Sequence, residues 1–128
     1  MGWDVVILNS TEKIIRIEDL NEEKLVPVDF SSAFEEYFEK ITKKENHWEI
    51  SGVDFEITYY YNQELCSNIM LNLYGENAIY HLVILALQKG WQIFDTGLGK
   101  IIDLSHPENN GYANFQSYLQ HVLKNQSE

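Results

Sequence analysis

Basic residues and long apolar runs are both scarce in this sequence. Nine Lys and Arg stand against twenty Asp and Glu, so the formal net charge is -11. Phosphate backbones and anionic membrane surfaces repel such a chain, and we expect neither a nucleic acid nor a membrane as its partner. The longest apolar run covers residues 82–87. This is far short of the roughly 20 residues that span a bilayer.

Cysteine is limited to Cys66, which excludes an internal disulfide. Residues 1–10 contain neither the basic region nor the cleavage site of a secretory signal. We therefore expect a cytoplasmic protein. Cys66 lies in a polar loop with no neighbouring base in the sequence, so an ordinary thiol is expected there rather than a nucleophile.

The hydrophobic content is high enough for one substantial core. Of the 128 residues, 45% are hydrophobic and 13% are aromatic. These proportions predict a single domain over residues 1–128 that needs no disulfide or metal to fold. No cofactor is expected.

Strand patterns dominate the first half of the chain. Residues 3–8 are rich in β-formers, and Ile14, Ile15 and Ile17 could return as the second strand of a hairpin. Residues 48–50 and 55–61 flank a turn at 51–54, and residues 68–74 continue the alternation. Three consecutive antiparallel strands are therefore predicted, with Tyr60 on the opposite face from Tyr59 and Tyr61.

Helical patterns occur in three places. Ser32 and Glu35 have the spacing of a capping box, which predicts a helix from there to about Lys44. Residues 78–88 are apolar on most sides, so that helix should be buried, with Gly90 as a left-handed C-cap. A last amphipathic helix is predicted after residue 110. The fold class is thus α+β, an antiparallel sheet with about three helices on one face, the central one buried against the sheet.

The triplet Asp95-Thr96-Gly97 has two interpretations. It resembles the active-site triplet of aspartic peptidases, in which two carboxylates share a proton and activate a water. Only about thirty residues follow it, too few for the β-rich segment of that family. A turn between two short strands is the preferred interpretation, because Asp and Gly are turn-forming residues and Gly97 and Gly99 accept positive φ.

Metal and catalytic patterns are incomplete. The four histidines are scattered, and only His47 and Glu49 share one face of a predicted strand, without a third ligand nearby. His81 lies in the most apolar helix, where a hydrogen-bonded core or boundary histidine is expected. We therefore predict no metal site and no enzyme activity.

The C-terminal half carries a family resemblance. An apolar helix followed by Gly90-Trp91, a strand ending in Phe94-Asp95-Thr96 and a strand ending in Ile102-Asp103-Leu104 resemble small acidic bacterial proteins of unassigned function. Some of these are predicted immunity proteins of polymorphic toxin systems. The resemblance covers about a third of the chain, its positions are chiefly structural, and it supplies no catalytic residues.

Two functional hypotheses follow. The first is a non-enzymatic protein-binding module, with an immunity-type inhibitor as its specific form, that binds a basic protein through Glu35, Glu36, Glu39 and Tyr60. Residues 1–64 hold fifteen acids and six bases (net -9), which favours this half as the contact surface, although solvated carboxylates would give the same pattern. The alternative is a small-molecule or metal site in a sheet–helix cleft, formed by His47, Glu49 and Tyr60. A homo-oligomer is also compatible with the sequence.

Overall fold

The computed structural model describes residues 2–61 and 64–106, except for the side chain of Glu76. Within these residues, seven strands and two α-helices confirm the α+β class, and none of the helices has the length and apolarity to cross a bilayer. The third predicted helix falls after residue 110, outside the described residues. The elements are β1 (Gly2–Leu8), two short 3-10 helices (Ile17–Asp19 and Glu22–Lys24), α1 (Phe30–Tyr37), β2 (Lys40–Lys43), β3 (His47–Gly52), β4 (Phe55–Tyr60), β5 (Asn68–Tyr74), α2 (Glu76–Lys89), β6 (Gln92–Asp95) and β7 (Lys100–Ile101).

The strands form one antiparallel sheet in the order β2-β3-β4-β5-β1-β6-β7. The neighbouring positions of β3, β4 and β5 confirm the three consecutive strands predicted from their alternation. β1 lies between β5 and β6, with Val5 opposite Leu71 on one side and Asp95 on the other. The first strand is therefore an interior strand that joins two distant parts of the chain.

One face of the sheet, here called the helix face, carries the core. Both helices pack on it: the rings of Phe34 in α1 and Tyr59 in β4 are 5.3 Å apart, and those of His81 in α2 and Phe55 in β4 are 4.9 Å apart. The strand residues that point to this face are mostly buried, as the two-residue period of a strand requires. They include Val5, Ile7, Ile50, Ile57, Leu71, Leu73 and Ile93. Core side chains thus fill the interface between sheet and helices.

The buried helix α2 ends as the sequence predicts. Gly90 adopts the left-handed conformation, with φ 75° and ψ 23°, which a residue with a side chain rarely adopts. The N–H of Trp91 donates to the carbonyl of Ala86 at 2.9 Å, and the Trp91 ring is buried beside the last turn. This arrangement turns the chain back into β6 and confirms the predicted C-cap.

The start of α1 differs from the prediction. Asp29 is the N-cap: its Oδ1 accepts the backbone N–H of Ser32 at 3.0 Å, and its Oδ2 accepts the Ser32 hydroxyl at 2.8 Å. The capping box of Ser32 with Glu35 is therefore wrong. A carboxylate three residues earlier satisfies the same free amide.

The end of α1 is also earlier than predicted. Phe38 has an extended backbone, with φ -97° and ψ 134°, and residues 40–43 form β2 rather than the last turns of a helix. Ile41 fits a helical stripe equally well, but in the sheet it lies opposite Ile50 on the helix face. Pairing with β3 satisfies the backbone groups of this segment.

The predicted hairpin of β1 with the Ile14–Ile17 region does not form. Gln92 occupies the place of a strand partner: the Ile14 N–H donates to its Oε1 at 2.8 Å, and its Nε2 donates to the Ile14 carbonyl at 2.7 Å. Ile14 is buried, whereas Ile15 is 76% exposed. A single side-chain amide thus satisfies both backbone groups, and the alternation of isoleucines does not correspond to a strand.

Candidate functional site

The second face of the sheet, here called the open face, carries a row of polar side chains across five strands. Thr42 lies opposite Glu49, and Glu49 lies opposite Thr58. Thr58 lies opposite Asn72, and Asn72 lies opposite Asp4. Neighbouring strands are about 4.8 Å apart, so this polar row extends for about 19 Å. It contains two carboxylates, those of Glu49 and Asp4.

A groove of about 470 Å³ lies over one end of the polar row. Its floor is the part of the row that runs from Thr58 through Asn72 to Asp4, and Tyr60, Met70 and Tyr74 are among the residues that flank this floor. Alternate residues on one face of a strand are about 6.7 Å apart, so the two tyrosines lie on rows about 13 Å apart. The groove exists because the side chains of the floor are shorter than the tyrosines on either side of it.

The three consecutive tyrosines of this region have different environments. Tyr59 is buried on the helix face, where its hydroxyl lies 2.9 Å from that of Ser31, and burial raises the pKa of the Tyr59 phenol. Tyr61 stacks on Trp48 with ring centroids 4.4 Å apart. Tyr60 points the other way and is 83% exposed, which confirms the predicted alternation.

Met70 and Tyr74 extend the exposed surface around the groove. They are 56% and 46% exposed, and both point to the open face of β5. Adjacent exposed side chains of this size are typical of interaction surfaces, whereas scattered ones are not. The groove therefore combines a polar floor with aromatic and thioether side chains at its borders.

Hydrogen bonds fix the floor. Asn72 Nδ2 donates to Asp4 Oδ1 at 2.6 Å, so the amide oxygen of Asn72 is left without a donor among the described residues. The backbone carbonyl of Asp4 accepts the Thr96 hydroxyl at 2.7 Å, which anchors β1 to the turn after β6. Hydrogen-bond acceptors therefore predominate along this part of the row: a carboxylate, an amide oxygen and the Thr58 hydroxyl.

The two carboxylates of the polar row differ in their surroundings. Glu49 Oε1 lies 3.1 Å from Lys44 Nζ and 3.1 Å from His47 Nε2. The hydrogen bond from Lys44, followed by that from His47, lowers the pKa of Glu49. Asp4 has no such ion pair with any basic side chain of residues 2–61 and 64–106. The groove thus ends on the carboxylate that has no counter-charge among the residues that the structure describes.

The alternative site predicted from His47, Glu49 and Tyr60 is assembled on the open face. His47 and Glu49 are hydrogen-bonded, and Tyr60 is the register partner of His47 on β4. These residues are on the opposite side of the sheet from the helices, so the site is not a sheet–helix cleft. In the part of the chain that the structure describes, no group of three or more His, Cys, Asp or Glu could hold a metal ion.

Two of the glutamates predicted as partner contacts already have lysine partners. Glu35 Oε1 lies 3.2 Å from Lys43 Nζ, and Glu36 Oε2 lies 3.7 Å from Lys89 Nζ. All four side chains are partly exposed, so each pair contributes little to stability. Their main consequence is that the local negative charge of α1 is partly compensated.

The predicted contacts do not form one patch. Glu39 is exposed in the turn between α1 and β2, and α1 packs on the helix face, whereas Tyr60 points to the open face. A partner that touched all four residues would have to reach around the β2 edge. The structure therefore divides the prediction into two surfaces.

The Asp95-Thr96-Gly97 triplet forms a turn. Asp95 Oδ1 accepts the backbone N–H groups of Gly97 at 2.9 Å and Leu98 at 3.3 Å, and the Asp95 carbonyl accepts that of Gly99 at 2.8 Å. The Asp95 side chain is only 4% exposed. This confirms the turn interpretation, because the carboxylate is directed into its own loop rather than towards a substrate.

Comparison with known proteins assigns no role to these residues. No protein-family model matches the chain, and no curated protein or solved structure matches it either.

Sequence reasoning identified Tyr60 but missed the floor of the groove. Asp4 precedes a buried run and has no distinctive spacing with Asn72, which is 68 residues away. The available signal was the alternation in residues 68–74, which places Met70, Asn72 and Tyr74 on the solvent side of a strand. Only the strand order brings Asp4 beside them.

Proposed function

We propose that this chain is a non-enzymatic protein-binding module whose open face contacts a basic protein, with an immunity-type inhibitor as its specific form. The observation that carries the proposal is the exposed set of Tyr60, Met70 and Tyr74 around an acceptor-rich floor. Tyrosine provides large contact area at low entropic cost, and such side chains are enriched among the residues that dominate binding energy. The proposal includes the cytoplasmic location expected from the N-terminal sequence.

Charge supports a basic partner. The chain has a formal net charge of -11, and a complementary field accelerates association and discriminates against acidic proteins. Glu35, Glu36 and Glu39 stay in the proposal as a second surface that steers the partner. Since two of them are paired with lysines, we expect them to affect the association rate and its salt dependence more than the dissociation rate.

The first prediction concerns partner capture. A tagged pull-down from bacterial cells and their secreted fraction, analysed by mass spectrometry, should recover a basic protein in stoichiometric amount, and less of it at high salt. With the purified partner, Tyr60→Ala should weaken binding by at least about tenfold in calorimetry, as expected for a central aromatic contact. Val53→Ala is the matched control, because Val53 is 80% exposed but lies in the β3–β4 turn.

Three results would decide against parts of this proposal. Recovery of the tagged chain alone, with a dimer in light scattering, would replace it with self-association. A partner that binds the Tyr60→Ala and Tyr74→Ala variants with unchanged affinity would exclude the open face. Unchanged association rates after charge reversal of Glu35, Glu36 and Glu39 would remove the second surface.

The volume of the groove also favours the small-molecule form of the alternative. At about 470 Å³ it falls within the range of ligand sites, and Tyr60 and His47 both line it. A metabolite and metal screen by thermal shift tests this: a ligand that raises the melting temperature, and whose effect Tyr60→Ala abolishes, would support it over protein binding.

A further inference from the structure

We propose that the open-face groove receives an arginine side chain of the partner, whose guanidinium contacts Asp4, with Tyr60 and Tyr74 at its sides. This inference deepens the proposed function and depends on it for the identity of the occupant. The groove itself is defined by the described residues, and its chemistry can be tested without the partner.

The acceptors of the floor determine the charge of the occupant. The Asp4 carboxylate has no ion pair with a described basic residue. Asn72 donates its Nδ2 hydrogen to this carboxylate, so its amide oxygen can accept a hydrogen bond from an occupant of the groove. Thr58 adds a hydroxyl in the next strand. A positively charged group with several N–H donors can hydrogen-bond to these acceptors, whereas the acceptors of the floor would repel a carboxylate or a phosphate.

The aromatic borders distinguish guanidinium from ammonium. Arginine has a planar cation that stacks on tyrosine rings and carries five N–H donors, while lysine has a compact ammonium that keeps its hydration more strongly. Tyr60 and Tyr74 lie on either side of the floor, and both are substantially exposed. A guanidinium can therefore stack on one ring while its edge reaches Asp4.

The other carboxylate of the polar row provides an internal comparison. Glu49 is already bonded to Lys44 and His47 within its own chain, and the Lys44 ammonium compensates its charge. Asp4, on β1, has no such partner among the basic side chains of residues 2–61 and 64–106. Of the two carboxylates in the row, Asp4 is therefore the one that we propose for a cation supplied by the partner.

The second prediction tests this with a defined probe. ¹H–¹⁵N spectra of the ¹⁵N-labelled full chain are recorded during titration with N-acetyl-arginine amide, and with the neutral isostere N-acetyl-citrulline amide at matched ionic strength. The arginine probe should shift the amides of Asp4, Thr58 and Asn72 and bind about tenfold more tightly than the citrulline probe, because only it forms charge-assisted hydrogen bonds.

Variants locate the effect. Asp4→Asn keeps an acceptor for Asn72 but removes the charge, so it should weaken the arginine probe by about tenfold without a change of fold in the spectrum. Glu12→Gln makes the same change of charge beyond the far end of β1 and should leave the affinity unchanged. Tyr60→Ala should weaken binding by about threefold through lost stacking.

The outcomes separate this inference from the proposed function. Equal affinity for the two probes, or an arginine affinity that Asp4→Asn does not alter, would overturn the guanidinium site. A captured partner that still binds the Asp4→Asn variant tightly would likewise overturn it, while protein binding by the open face would stand. Arginine binding at the groove without any protein partner would leave the site in place and overturn the proposed function.

Discussion

The ionisation of His81 is tied to its packing against the core. Its Nδ1 lies 3.0 Å from the Tyr37 hydroxyl, and its ring packs against Phe38 and Phe55 with centroids 6.0 and 4.9 Å away. This arrangement confirms the hydrogen-bonded core or boundary histidine predicted from the sequence. Burial lowers the pKa of His81, since the packed rings cannot solvate an imidazolium.

The third prediction follows from the direction of this shift. Between the folded pKa of His81 and the ordinary histidine pKa of 6.5, the unfolded chain binds more protons than the folded one. The free energy of unfolding should therefore fall as pH decreases through this window and should be fully retained above it. Urea denaturation at several pH values measures the slope, and an NMR titration of the His81 ring measures its pKa.

A matched pair of variants isolates the contribution of His81. His81→Phe should flatten the dependence between pH 7 and 5, whereas His47→Gln, on the open face, should leave the His81 contribution in place. An imidazole of His81 that titrates above 6.5, or an unchanged slope in His81→Phe, would contradict the explanation by burial.

The environment of Cys66 favours the protonated thiol. Burial raises the pKa of the Cys66 thiol, and the nearby Asp29 carboxylate adds to the effect. Both favour the thiol over the nucleophilic thiolate. This agrees with the ordinary thiol expected from the sequence.

At the scale of elements, the N-cap of α1 gives the fourth prediction. Asp29→Ala should reduce the free energy of unfolding by about 1 kcal/mol, because the amide of Ser32 loses its acceptor at a helix of only eight residues. Asp29→Asn retains an oxygen acceptor and should recover most of this loss. Chemical denaturation measures both.

Glu35 is the control for this prediction, because the sequence pattern assigned it the capping role. In the structure it contacts Lys43 instead, so Glu35→Ala should change stability by less than about 0.5 kcal/mol. A larger loss for Glu35→Ala than for Asp29→Ala would restore the capping box. The hydrogen bonds from Ser32 lower the pKa of Asp29, so the stabilisation by this cap should be lost only in acid below the ordinary aspartate pKa of 3.8.

Elements whose hydrophobic periodicity fits only one type of secondary structure were predictable from the sequence. The alternation in β3, β4 and β5 and the apolar run of α2 gave both type and approximate bounds, and Gly90 marked the end of α2. Ile41 did not distinguish a helix from a strand, because a single isoleucine among polar residues suits a helical stripe and a strand alike. Its structure is decided by pairing with β3, a contact that local spacing does not encode.

The same limit explains the candidate site at the scale of the whole molecule. Tyr60 could be assigned to the open face from the alternation of β4 alone. Asp4 joined it only because β1 pairs with β5 rather than with the Ile14–Ile17 region. This pairing of β1 depends on how all the strands and helices bury their apolar faces. It also depends on Gln92, whose side-chain amide hydrogen-bonds to the backbone N–H and carbonyl of Ile14. No short motif reports it.

The described core is continuous across both helices and the sheet, which leads to the fifth prediction. Leu71 is fully buried in β5 between β4 and β1, so Leu71→Ala should cost about 2–5 kcal/mol through lost burial and an incompletely collapsed cavity. Leu98→Ala, in the partly exposed turn before β7, should change stability by less than about 0.5 kcal/mol.

The second part of this prediction concerns the cooperativity of the unfolding transition. Near-ultraviolet and far-ultraviolet circular dichroism should give coincident unfolding curves, because the aromatic core and the backbone belong to one cooperative unit. Separate midpoints would indicate that the strands β2, β3, β4 and β5 unfold independently of the strands β1, β6 and β7.

The interior position of β1 has a consequence for synthesis. Asn68 follows Leu8 by 60 residues, so the apolar side chains of β1 leave the ribosome long before β5 can pair with them. At about 5–20 residues per second, this interval lasts about 3–12 s. During translation, the nascent chain therefore carries an unpaired β-strand, and chaperone contact with this segment would protect what later becomes an interior strand of the sheet.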